Sequence, residues 1–208
     1  MGSRVVIALF RHGLTKENEQ KAYIGWLDSP LSQKGINQLK AKSLNFHYYK
    51  RLFSSDLLRA KQSAASLFPD KDITESSCFR ELNFGEWEGK TYEQLANDSI
   101  YRNWISNPFT TTPPGGESFA SFTERIEQGW QMIMEASAAA QHIAIMTHGG
   151  VIRYLLHRYG KDKRDFFDYP VAIDSGYELI WEDSDCFRRR ERCTLLQEAA
   201  LMERKDGH

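Results

Sequence analysis

Arg11-His12-Gly13 sets an imidazole beside a fixed cation, directly after the apolar run Val5-Val6-Ile7-Ala8-Leu9-Phe10. The run is short, rich in β-branched residues and uninterrupted, as a buried strand should be. A strand ending this way delivers both groups to the carboxyl edge of a sheet, where open α/β sheets build their sites. The glycine permits a sharp turn and a close approach to a ligand. Far downstream, Ile143-Ala144-Ile145-Met146-Thr147-His148-Gly149-Gly150 repeats the pattern and leads into a helical stretch, Val151 to Tyr159. Either histidine alone could be an ordinary helix-entry residue. Two strands ending in histidine predict that His12 and His148 converge at one sheet edge.

Two further residues fit that edge. Arg59 falls in the first turn of a predicted helix that leaves the short strand Arg51-Leu52-Phe53-Ser54. A helix amino terminus offers free N–H groups and the positive end of a dipole, and a guanidinium adds a fork of donors, so this is an anion site by composition. In Arg80-Glu81-Leu82-Asn83-Phe84, Glu81 has apolar and aromatic neighbours. Partial burial favours the protonated form of a carboxyl, which makes Glu81 a candidate general acid.

The elements that must position these groups alternate between strand and helix patterns, which favours an α/β fold: a mostly parallel central sheet with helices on both faces. Ser32 is a plausible N-cap for a helix predicted to run to about Phe46. Leu57, Ala60, Ala64 and Leu67 recur at helical spacing and stop before Pro69. Phe119, Phe122, Ile126, Trp130 and Ile133 form one stripe of a helix within residues 118–140, read as core packing. Tyr177 to Glu182 reads as a late strand, Asp183-Ser184-Asp185 as a turn, and Cys186 to Leu195 as a returning edge strand. Its basic run, Arg188-Arg189-Arg190 and Arg192, reads as a solvated edge that discourages aggregation. The last dozen residues read as charged and loose. Residues 83–116, with helical sequence from Thr91 to Trp104 and the loop Thr110 to Gly116, are expected to form a small cap. The whole chain, 1–208, reads as one domain.

Composition narrows the classes. The chain has 208 residues with 27 basic and 28 acidic side chains, a formal net charge of −1. That balance argues against broad nucleic-acid or anionic-membrane binding, so positive charge at a site must be local. No run reaches the ~18 apolar residues of a membrane span. Met1 to Arg4 leads into the first strand without signal-peptide architecture, and Cys78, Cys186 and Cys193 lack paired spacing. A reducing cytoplasmic setting with free thiols is expected. The absence of HExxH and of a Cys/His cluster gives no indication of a metal or cofactor. A homodimer is left open. His47, His142, His157 and His208 read as surface or packing residues.

Taken together, Arg11-His12-Gly13-Leu14-Thr15-x-x-Asn18, Gly25-Trp26-x-Asp28-x-Pro30-Leu31-Ser32-x-x-Gly35, Ser54 to Ala64, Glu81 to Gly89, Gly115-Gly116-Glu117-Ser118 and Thr147-His148-Gly149 follow one another in family order. The chain thereby resembles the histidine phosphatase superfamily, with its phosphoglycerate-mutase-like fold, over most of residues 4–155. The resemblance implies that His12 accepts a phosphoryl group on a ring nitrogen. It implies that Arg11, Arg59 and His148 surround the phosphate oxygens, that Asn18 adds a hydrogen bond, and that Glu81 protonates the leaving alkoxide and then activates water. Thr15, Gly25, Gly149 and Glu117 join as candidate substrate contacts. Thr15 equally suits the shaping of a turn, and Glu117 suits a helix start. Asp28 reads as a stabiliser of the Gly25–Pro30 turn, and Glu86 and Glu88 compete weakly with Glu81 as the acid. The partner implied is a small phosphorylated metabolite.

Mutases of the superfamily carry a longer insertion with paired arginines. Here only Arg102 falls between Glu81 and Gly115, Leu82 stands where mutases place arginine, and Ile24 where they place a small hydroxyl residue. The short form is similar to broad-specificity and α-ribazole phosphatases, which implies phosphomonoester hydrolysis. Mutase-type transfer and a non-catalytic phosphate-binding protein are the alternatives. Trp87, Trp104 and Phe109 are candidates to line a pocket for an aromatic leaving group, or to pack the cap on itself.

Overall fold

Every residue from Val5 to Phe10 is buried, so this strand needs cover on both faces and neighbours on both edges. The computed structural model, which describes residues 2–43, 48–138, 140–173, 176–199 and 202–203, supplies them. In chain order the strands are β1 (Val5–Arg11), β2 (Lys42–Ser43), β3 (Arg51–Ser55), β4 (Ile73–Ser76), β5 (His142–Thr147), β6 (Gly176–Trp181), β7 (Leu195–Ala199) and β8 (Met202–Glu203). Six form one sheet in the order β4-β3-β5-β1-β6-β7, while β2 and β8 pair as a separate ribbon. The β3–β4, β3–β5 and β1–β5 pairings are parallel; β6 and β7 join antiparallel.

The helices are α1 (Lys16–Glu19), α2 (Gln33–Lys40), α3 (Leu58–Leu67), α4 (Tyr92–Leu95), α5 (Ser99–Ser106), α6 (Phe119–Ala136), α7 (Gly149–Tyr159) and α8 (Ser184–Arg188). Side chains of β1 alternate between two cores, as the pleat requires. Val5, Ile7 and Leu9 pack with Phe122, Ile126 and Trp130 of α6 and with Ile152 and Leu155 of α7. Ala8 and Phe10 pack with Leu39 of α2 and Ala60, Ala64 and Leu67 of α3 on the opposite face. Each large side chain so buried is worth about 1.5–3 kcal/mol. A third cluster, Trp87, Leu95 and Tyr101 with Tyr23, Phe84 and Trp104, holds the cap around α4 and α5. Gly85 serves that cap: its φ is 54°, and a Cβ there would lie 2.2 Å from the Pro114 carbonyl oxygen.

Four expectations need correction. The helix begun at Ser32 ends at Lys40, and β2 follows at once; Phe46 and His47 lie outside the described residues. The segment expected as an edge strand from Cys186 begins instead as α8. Asp183 caps that helix through the Asp185 amide (2.9 Å), and Phe187 packs on Trp130 and Trp181 at 5.8 and 4.9 Å between centroids. A buried aromatic with a capping aspartate outweighs strand propensity there, and the edge strand starts only at Leu195. Part of the final dozen residues is strand, since β7 runs to Ala199 and β8 pairs with β2; His208 lies outside the described residues. The basic run is also more than a solvated edge. Arg190 reaches Glu127 (3.0 Å), and Arg192 donates to the Gly160 and His157 carbonyls at 2.6 and 2.8 Å. His142 stacks on Tyr48 at 4.1 Å, and the His157 ring contacts the Arg164 carbonyl at 3.0 Å.

Candidate active site

Strand register brings the histidines together. Arg11 of β1 lies opposite Thr147 of the parallel β5, so the next residue of each strand emerges beside the other. The His12 and His148 ring centroids are 5.0 Å apart, and both residues are buried (3% and 0% exposed). His12 Nδ1 lies 2.7 Å from the Gly13 carbonyl oxygen. A carbonyl only accepts, so Nδ1 carries the ring proton and Nε2 the lone pair. Burial, followed by the Arg59 and Arg11 cations, pushes His12 well below the usual imidazole pKa. Burial also lowers His148, ahead of Arg59, His12 and Arg11. Both rings are therefore neutral near pH 7.

Two guanidinium groups flank them. Arg11 Nη1 donates to the Val171 carbonyl (2.6 Å). Arg59, wholly buried, donates from Nη1 to Leu27 O (2.9 Å) and from Nη2 to Gly25 O (2.6 Å). Burial lowers the Arg59 pKa to about 10, against the pull of Glu81 and Glu88, so the group stays charged at neutral pH. The loop supplying those carbonyls is held by Glu88, whose carboxylate accepts from the Gly25, Trp26, Leu27 and Phe84 amides at 2.8–3.2 Å. Gly25 admits no side chain, because a Cβ would lie 1.9 Å from Leu82 O. Asp28 accepts from the Leu58 amide (2.6 Å) and so caps α3, the helix that carries Arg59. Ser63 donates to Arg59 O (2.7 Å) and accepts from the Gly13 amide (2.9 Å), tying the two ends of the site together.

Glu81 closes the group from the cap side. Its carboxylate accepts from the Gly150 amide at the start of α7 (2.8 Å) and from the Leu82 amide (2.9 Å). Its main-chain oxygen accepts from Trp26 Nε1 (3.0 Å) and Arg125 Nη2 (3.2 Å). Arg125 also donates to the carbonyls of Ser77, Cys78 and Arg80 and pairs twice with Glu117 (2.9 and 2.8 Å).

His12, His148, Arg11, Arg59 and Glu81 thus share one locus, with Gly149 opening α7 beside Arg11. Glu117 does not join them: its carboxylate serves Arg125 and the Asn83 amide (3.3 Å). Thr15 and Asn18 form a reciprocal cap of α1, each side chain accepting from the other's amide at 3.2 Å. Sequence reasoning passes over Ser63, Arg125, Gly150 and Arg153, and weighs Glu88 for another role. The doubled glycine after His148 is the one local signal; the rest depend on tertiary placement.

A cavity of about 470 Å3 opens from Glu81, Gly150 and Arg153 and is walled by aromatic residues that include Trp104, Phe109 and Phe119. Trp87 does not line it, being buried in the cap cluster. In the cup beneath, Arg11 Nε, Arg59 Nε and both His148 ring nitrogens are buried without a hydrogen-bond partner. Unpartnered buried polar atoms are costly. Here they cluster with two cations and suit a small oxyanion.

A sequence profile of the histidine phosphatase superfamily (branch 1) matches residues 7–190. The chain belongs to that superfamily. As a histidine phosphatase it is 30% identical over 156 residues to an adenosylcobalamin/α-ribazole phosphatase of Salmonella typhimurium, covering 72% of this chain and 77% of that one. A crystal structure of a Thermus thermophilus protein superposes with a TM-score of 0.66 at 29% identity, over 95% of this chain and 99% of that one. The α-ribazole phosphatase of Shigella flexneri shares the fold, with a TM-score of 0.79 at 22% identity over 96% and 100% of the two chains. This histidine phosphatase is an enzyme that acts on phosphorylated small molecules. Among its described residues no helix is long and apolar enough to cross a membrane.

Proposed function

We propose that this histidine phosphatase hydrolyses a phosphomonoester of a small metabolite in two steps through phosphohistidine at His12, without a metal. The observation that carries the reading is the set of partnerless buried atoms on Arg11, Arg59 and His148 around a neutral imidazole whose Nε2 bears the lone pair. A phosphate monoester carries close to −2 charge near pH 7, which two arginines balance. Phosphoryl transfer needs in-line positioning and charge neutralisation above all. In the first step the His12 Nε2–P bond forms as the P–O bond to the alcohol breaks, and Glu81 in its acid form gives the leaving oxygen its proton. In the second, Glu81 takes a proton from water, the water oxygen bonds to phosphorus, the N–P bond breaks and inorganic phosphate leaves. Arg11, Arg59 and His148 hold the three non-bridging oxygens throughout. The aromatic cavity beyond Glu81 receives the leaving group.

The test is turnover of p-nitrophenyl phosphate in EDTA by wild type and by His12→Ala, with mass spectrometry of acid-quenched and alkali-quenched enzyme. The reading predicts activity in wild type alone and a base-stable, acid-labile phosphate on the peptide holding His12. Phosphate carried on another residue, or activity that survives His12→Ala, refutes it. Binding of phosphate without turnover of any ester would leave a phosphate-binding protein.

A further inference from the structure

The phosphate cup accounts for two arginines, and the site holds a third. Arg153 lies one turn into α7 and is anchored by its Nε, which donates to the Tyr169 carbonyl (3.2 Å). Its Nη1 lies 3.5 Å from the point a Cβ on Gly149 would occupy, and Arg11 Cζ lies 3.7 Å from the same point. Two guanidinium groups thus border one glycine, and the charge of Arg153 depresses the pKa of Arg11, after the larger effect of burial. Among the described residues Arg153 makes no ion pair. Glu81, the other charged residue on the cavity wall, is turned to the Gly150 and Leu82 amides. The remaining lining is almost wholly apolar, with aromatic side chains predominating. A half-buried guanidinium without an ion pair, set in a largely apolar wall, selects anions, because its planar fork of donors matches a carboxylate. A substrate phosphate already meets Arg11 and Arg59 and is balanced by them.

We propose that Arg153 is a specificity-determining residue that binds a second anionic group carried by the leaving portion of the substrate. The substrate class is then a phosphomonoester whose leaving group pairs a planar apolar body with an acidic substituent, such as a carboxylate. The inference rests on the phosphatase reading above. The apolar body lies against the aromatic wall, and the acid meets the free end of Arg153 close to Arg11. A charge-assisted hydrogen bond in such a place is worth about 10- to 100-fold in affinity or kcat/KM.

The test compares 3- and 4-carboxyphenyl phosphate with their neutral carboxamide counterparts, in wild type and Arg153→Gln. Taking the ratio of ratios removes the intrinsic difference between the leaving groups. The expected result is that Arg153→Gln lowers kcat/KM at least tenfold for one of the two carboxylate esters while changing its carboxamide partner less than threefold, and that Arg153→Lys restores part of the loss. If Arg153→Gln lowers both members of each pair alike, Arg153 acts on the transferred phosphoryl group and the proposal is overturned; unchanged values for both overturn it equally. The same double ratio is read from calorimetric binding of 4-carboxybenzylphosphonate and its carboxamide, which requires no turnover. Loss of catalysis with the ratio intact therefore refutes the phosphatase mechanism alone, and a ratio near one refutes the subsite alone. Thermal unfolding of each variant verifies that it is folded.

Discussion

Gly150→Ala tests the assignment of Glu81 as the proton donor without touching an ionisable group. A Cβ on Gly150 would sit 2.2 Å from Glu81 Oε1 and 3.3 Å from Phe122 Cζ. Ordinary carbon–oxygen contact is above 3 Å, so the carboxyl must retreat by about 1 Å and the bond from the Gly150 amide (2.8 Å) is lost or bent. Misplacing a reacting group by 1 Å can cost about 100-fold, and general acid catalysis is worth about 10²–10⁴-fold. The loss should therefore fall between these bounds for an alkyl phosphate, whose alkoxide cannot leave unprotonated. It should be under about tenfold for p-nitrophenyl phosphate, whose phenolate leaves readily. Helix propensity favours alanine by up to about 1 kcal/mol, so the fold should tolerate the change. The assay is kcat for both esters on one preparation, with thermal unfolding alongside. Equal losses on the two esters, or no loss on either, would show that Glu81 does not protonate the leaving oxygen.

Other outcomes follow from the same contacts. Arg125→Ala removes the clamp on the chain leading to Glu81 and strands Glu117; it should reproduce the leaving-group-dependent loss of Gly150→Ala and add about 1–3 kcal/mol of destabilisation from unpaired buried groups, measured by urea unfolding. Arg59→Lys keeps a charge but cannot donate to Gly25 O and Leu27 O while facing the cup; kcat/KM for p-nitrophenyl phosphate should fall about 10²-fold or more. His12 and His148 have folded pKa values below that of an unfolded imidazole, so the unfolded chain binds more protons in acid, and stability should decline as pH drops below about 6.5; His12→Gln should flatten that slope in melting temperature measured from pH 7.5 to 5. Trp87→Ala should cost about 3–5 kcal/mol by emptying the cap cluster, read by calorimetry.

Much of this was legible in residue order. A buried strand reads directly from Val5 to Phe10 because both its faces are apolar, and Arg11-His12 follows without ambiguity. His148 reads the same way. Their mutual contact does not, because strand adjacency is decided by how the long intervening chain crosses over the sheet. Arg59 could be placed at a helix start, yet its real constraint is the pair of carbonyls at Gly25 and Leu27, which no spacing announces. Glu88 illustrates the limit most plainly. As a residue it is one of several acids after Glu81; in space its carboxylate gathers four amides and fixes the loop that fixes Arg59. The misread segments share a cause too. Cys186 to Leu195 carries strand-compatible residues, but Asp183, through the Asp185 amide, and Phe187, through Trp130 and Trp181, decide in favour of a helical turn.

The charged cup has a consequence for the reaction cycle. Its partnerless nitrogens and crowded positive charge are relieved by any compact oxyanion, and inorganic phosphate, released in the last step, is one. The end product should therefore compete with fresh ester and also raise the melting temperature of the protein. Such an enzyme would throttle itself wherever phosphate is abundant, and would run fastest where phosphate is scarce and its release is most useful.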